Sequence, residues 1–132
     1  MNFKDQFIAL LNKLYDVTSE GKLPWSIDDG EFETAYKCSV SGAVISIMET
    51  TDAKSDPIIQ VNIKSGGKTV DTFDDDLFRG MKPQRGNHNS YWSFMTEIVE
   101  MAKRSANKSD VILRDILADL NAQYPEPEDD QW

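Results

Sequence analysis

Cysteine and histidine occur once each in this chain, as Cys38 and His88, and basic residues are few, 14 Lys and Arg against 23 Asp and Glu. A single thiol cannot close an intramolecular disulfide, so folding needs no oxidising compartment. One His and one Cys would leave a structural zinc ion dependent on unusual carboxylate ligation, and neither a metal nor a cofactor is expected. They are also the sole conceivable thiol and imidazole couple for nucleophilic catalysis, and nothing in the spacing places them together. Cys38 falls in phase with Phe32, Tyr36 and Val40, the pattern of a small buried hydrophobe on a strand. Long apolar runs are missing as well. Lys, Asp, Asn or Glu interrupts each one well before the ~18 residues of a membrane span. The N-terminus has no basic region followed by an apolar stretch, so a cytoplasmic protein is expected.

The scarcity of base has a second consequence. The formal net charge is -9, and the body still carries -5 without the four acids that follow Pro125. Such a field repels phosphate backbones, so nucleic-acid binding is not the default expectation. With 132 residues, 39% of them hydrophobic, the chain has the size of one domain with one core. Residues 1–124 are read as that domain. Residues 125–132, with two prolines, four acids and Trp132, are read as an acidic and flexible tail.

Phe3, Phe7, Leu10, Leu11, Leu14 and Val17 recur at helical spacing, with Asn2 as N-cap and Gly21 beyond the end. From Glu31 the period becomes two, and Ser41-Gly42 offers the turn to a second strand running from Ala43 to about Thr50. Val44 and Met48, opposite in phase to Ile45 and Ile47, suggest helices on the second face of the sheet too. Ile59, Val61 and Ile63 mark a third strand, Gly66-Gly67 a turn, and Thr69 to Phe73 a shorter fourth strand. Arg79 to Asn89 reads as a loop. Ser90 caps a helix with Tyr91, Trp92, Met95, Ile98, Val99 and Ala102 on its apolar face. Ser109 or Asp110 caps another, with Leu113, Ile116, Leu117 and Leu120 turned inward. The expected fold class is α+β: an N-terminal helix, a four-stranded antiparallel meander, and two C-terminal helices packed on the sheet.

No motif brings catalytic chemistry with it, and an enzyme is the weakest of the functional classes. Gly66-Gly67-Lys68-Thr69 fails as a phosphate-binding loop, because Asn62 stands where a glycine is needed and a strand follows instead of a helix. Asp71, Asp74, Asp75 and Asp76 lack the spacing of a calcium loop and read as a solvated acidic turn. One island stands out. Arg79, Lys82, Arg85 and His88 lie on a loop beside Tyr91 and Trp92 in an otherwise acidic chain. They either neutralise Asp74 to Asp76 or clasp an anionic small molecule or nucleotide, with Tyr91 or Trp92 stacking on a flat ring. Trp25 covers the core or sheet edge, or serves as an exposed anchor, and Trp132 is a candidate anchor for the tail.

The first helix, Gly21-Lys22-Leu23-Pro24-Trp25, the strand meander and the helical C-terminus together resemble small bacterial and phage proteins, mostly without assigned functions. That resemblance implies a prokaryotic or phage setting, in which compact acidic proteins act as inhibitors, immunity factors or regulators, and it transfers no functional residue. The leading expectation is a non-enzymatic interaction protein that docks on a basic surface of a partner protein. The alternative is a small-ligand module built on the basic loop 79–89. Trp and Met on one helix face are compatible with a homodimer.

Overall fold

The computed structural model describes residues 2–29 and 33–125. Helix α1 (Phe3–Ser19) starts where the Asn2 side chain accepts the Asp5 amide at 2.8 Å, as its cap position predicts. Five antiparallel strands follow: β1 (Ser26–Asp29), β2 (Thr34–Val40), β3 (Ala43–Thr51), β4 (Pro57–Ser65) and β5 (Lys68–Asp74). A short 3-10 turn (Asp75–Phe78) and the loop 79–90 lead into α2 (Tyr91–Ala106) and α3 (Ser109–Gln123). The sheet order is the chain order, β1-β2-β3-β4-β5. The β2–β3 and β4–β5 connections turn through Ser41-Gly42 and Gly66-Gly67 with positive φ at both residues, the geometry whose twist suits a two-residue hairpin.

The sheet has five strands rather than four. Ser26-Ile27-Asp28-Asp29 has no apolar alternation to announce a strand, and pairing along the edge of β2 makes it one, from Ser26 opposite Lys37 to Asp29 opposite Thr34. The sequence-predicted start of β2 at Glu31 and Phe32 lies outside the described residues. In β5 the register slips at Ile63/Lys64, which leaves Val70 without a cross-strand partner and exposed.

The core is one layer deep. Tyr36, Ile47, Val61 and Phe73 form a buried row across four strands, and against them pack Phe7, Leu11 and Leu14 of α1 and Phe94, Met95, Ile98 and Ala102 of α2. Phe7 stacks on Phe73 with ring centroids 4.1 Å apart. Trp25 is buried, and its Nε1 donates to Thr18 Oγ1 at 3.0 Å, tying the segment before β1 to the end of α1. The opposite face of the sheet carries Lys37, Asn62 and Thr72, but Ala35, Ser46 and Ile58 on it are buried and Val44 and Met48 half-buried, so it is partly covered, as Val44 and Met48 suggest. The helix contacts with the sheet that are extensive are those of α2, on the apolar side.

Helix α3 also departs from expectation. Leu113, Ile116, Leu117 and Leu120, predicted to face inward, are all exposed. Sheet width supplies the reason. Five strands spaced ~4.8 Å apart span about 19 Å, and two helices each ~10 Å wide already cover that width. With α1 and α2 in place on the apolar face, a third helix has no room there, and the substantial contact of α3 is with α2.

Candidate functional site

Of the four basic residues predicted from the sequence on the loop 79–90, Arg79, Arg85 and His88 each meet an acid of the same chain. Arg79 Nη2 bonds Asp76 Oδ1 at 2.9 Å, and this carboxylate holds the guanidinium above its usual range. Arg85 Nε reaches both Asp16 carboxylate oxygens on α1, at 3.0 and 3.3 Å. The His88 ring lies between Ser93 Oγ at 2.6 Å and Glu97 Oε1 at 2.7 Å, both on α2. Lys82 is exposed. The reading in which the cations neutralise acids therefore describes Arg79 well. Arg85 and His88 turn to the helices rather than to Asp74–Asp76.

Packing around His88 is close. Gly86 has φ +72°, and a Cβ there would lie 2.7 Å from His88 Cδ2 and 2.8 Å from Glu97 Oε1. Tyr15 of α1 hydrogen-bonds to the same Glu97, and burial followed by that carboxylate raises its phenol above the ordinary 10.0. Ser93, His88 and Glu97 thus form an array in the order nucleophile, imidazole, acid that sequence reading missed. Its one sequence signal is Ser93 and Glu97 four apart on a helix that begins just after His88. Acyl transfer would also require the serine to face a substrate cavity with oxyanion donors. The neighbouring cleft, of about 210 Å³, is lined by Arg79, Met81, Ser90, Tyr91 and Trp92 rather than by Ser93. The array pins the loop to α2.

The aromatic candidates separate. Tyr91 is buried against Phe78 and Phe94, at centroid distances of 4.6 and 5.7 Å, so it is not available to stack on a ligand. Trp25 likewise belongs to the core and is no exposed anchor. Trp92 remains on the surface at 44% exposure, and Trp132 lies outside the described residues. Cys38 is buried, and desolvation pushes its thiol up to about 11, which suppresses the thiolate.

The acidic turn is not simply solvated. Asp75 is buried and accepts the Ile59 amide at 2.8 Å, and Asp74 caps the 3-10 turn by accepting the Asp76 amide at 2.9 Å. A second group of acids, exposed to solvent, lies elsewhere. Glu33, Glu49 and Glu100, with Lys103, Tyr36 and Val99, line a cleft of about 310 Å³ where the β2–β3 end of the sheet meets α2. Glu33 accepts a hydrogen bond from Thr50 Oγ1, which holds its carboxylate at the rim. No residue of this cleft was singled out from the sequence, because its three glutamates are 16 and 51 positions apart.

Among the described residues no group of three or more His, Cys, Asp or Glu side chains could hold a metal ion, and no helix is long and apolar enough to cross a membrane. Comparison with protein-family models, with curated proteins and with solved structures finds no match to this chain.

Proposed function

We propose that the protein is a non-enzymatic interaction protein, of the inhibitor, immunity or regulatory kind, that docks on a basic surface of a partner protein. The observation that carries this reading is the disposition of charge. Arg79, Arg85 and His88 are held by Asp76, Asp16 and Glu97 of the same chain, so an incoming anion would have to displace carboxylates already in place. Glu33, Glu49 and Glu100 instead open to solvent around a concave surface. A partner's Arg or Lys entering that cleft would meet three carboxylates against the single cation Lys103 in the lining, with the apolar flank of Val99 and Tyr36 beneath. The net charge of -9 would speed such encounters and repel acidic competitors.

Affinity isolation from a lysate with the wild-type chain and with Glu33→Gln/Glu49→Gln/Glu100→Gln tests the proposal. A basic protein retained in stoichiometric amount by the wild type and lost by the triple variant is the expected result. Equal retention by both, or retention of no protein by either, would remove the support for this reading.

A further inference from the structure

Among the described residues, the exposed large apolar side chains are most concentrated on one element. On α3, Ile112, Leu113, Ile116, Leu117 and Leu120 are between 48% and 57% exposed, and Tyr124, its C-cap residue, is 71% exposed. At 3.6 residues per turn they fall within an arc of about 140° along a helix ~22 Å long. Their spacing is that of a seam: Leu113 and Leu120 are seven apart, with Ile116 and Leu117 between them. Together they form a contiguous stripe on the order of 500 Å², the size of the largest apolar patch on a typical soluble monomer, and such patches mark interaction sites. Among the described elements α3 makes its substantial contact with α2. That contact is at the start of α3, where Val111 lines a cleft with Met101, Arg104 and Ser105. The seam points away from it.

The chain offers this seam no cover of its own among the described residues. The apolar side of the sheet is filled by α1 and α2, and α3 makes no substantial contact with any described strand. We infer that a second copy of the chain covers it, with the two α3 helices paired antiparallel. Area supports this occupant. Two such faces covering one another would bury on the order of 1,000 Å², the lower bound for a specific interface. Shape supports it too, since a convex helical ridge packs readily against another ridge by knobs into holes. Antiparallel pairing about the midpoint between residues 116 and 117 sets Leu113 across from Leu120 and Ile116 across from Leu117. It also places the two bodies at opposite ends of the helix pair, whereas parallel pairing would set two chains of net charge -9 side by side. This inference is independent of the acidic cleft, whose glutamates lie on other elements.

Sedimentation equilibrium of the full chain over about 1 to 100 µM tests it. The expected species has twice the 15.0 kDa chain mass, and Leu117→Glu should weaken association at least tenfold while the circular dichroism of the sheet and of α1 and α2 is retained. Should that variant also fray α3, cysteine pairing supplies a second reading. Ile116→Cys, at the proposed two-fold, should form a disulfide-linked dimer under mild oxidation, and Asp115→Cys, on the far side of the helix, should not. A wild-type monomer throughout the concentration range, equal cross-linking at both positions, or a seam covered only after a different protein is added would each overturn the inference.

Discussion

Replacing Asp75 separates two contributions that its carboxylate combines. The side chain is buried beneath the 3-10 turn and accepts the Ile59 amide at 2.8 Å, so it closes a donor near the start of β4. Burial is the largest influence on its acidity and raises its pKa above 3.8, against the lowering effect of the Ile59 amide and its own amide. A carboxyl whose folded pKa is raised binds its proton more tightly in the native state than in the unfolded chain. Its favourable contribution is therefore full below 3.8 and is lost as pH rises through the folded value. Asp75→Asn keeps an oxygen for the Ile59 amide and removes the charge. It should equal or exceed the wild type in stability at pH 7, with the difference vanishing below about pH 4. Asp75→Ala leaves that amide without its acceptor and should cost ~1–3 kcal/mol, or roughly 4–12 °C in melting temperature for a domain of this size. Thermal and urea unfolding of the three proteins from pH 4 to 8 gives the comparison. Equal losses for Asn and Ala at pH 7, or a wild type that gains on Asn as pH rises, would refute the reasoning.

Three further outcomes follow from the packing. Trp25→Phe removes the donor to the buried Thr18 hydroxyl and part of a buried ring, and urea denaturation should show a loss of about 2 kcal/mol. Gly86→Ala forces a Cβ against His88 and Glu97 at positive φ, so amide exchange should accelerate across residues 82–90 while the sheet core keeps its protection. Cys38, buried with its thiol raised to about 11, should resist iodoacetamide at pH 8 in the native protein and react promptly in denaturant.

What could be read from the sequence was local chemistry. Asn2 and Ser90 cap α1 and α2 as their positions predict. Ser41-Gly42 and Gly66-Gly67 form the expected turns, the glycines taking positive φ without a Cβ penalty and Ser41 held there at φ 53° between the paired strands. The features that escaped are decided by distant parts of the chain. Strand β1 exists because the edge of β2 is available, not because Ser26-Ile27-Asp28-Asp29 favours extension. Periodicity gave α3 an apolar face but not what that face would meet, since the width available on the sheet depends on where α1 and α2 settle. The same limit applies to Tyr91, whose place on an apolar stripe was correct and whose use as a stacking surface was excluded only by Phe78 and Phe94 closing over it. Glu33, Glu49 and Glu100 were indistinguishable from other surface acids until the sheet and α2 brought them to one cleft.

The central claim is that the solvent-facing glutamates of this cleft recognise a basic protein surface. Its most direct test is a titration of the isolated partner with the wild-type chain and with Glu49→Gln/Glu100→Gln, from about 50 to about 500 mM salt. The account predicts that wild-type affinity falls at least tenfold across that range, and that the variant binds weakly at low salt with a much flatter dependence. Affinity insensitive to salt, or unchanged by removal of the two charges, would contradict it.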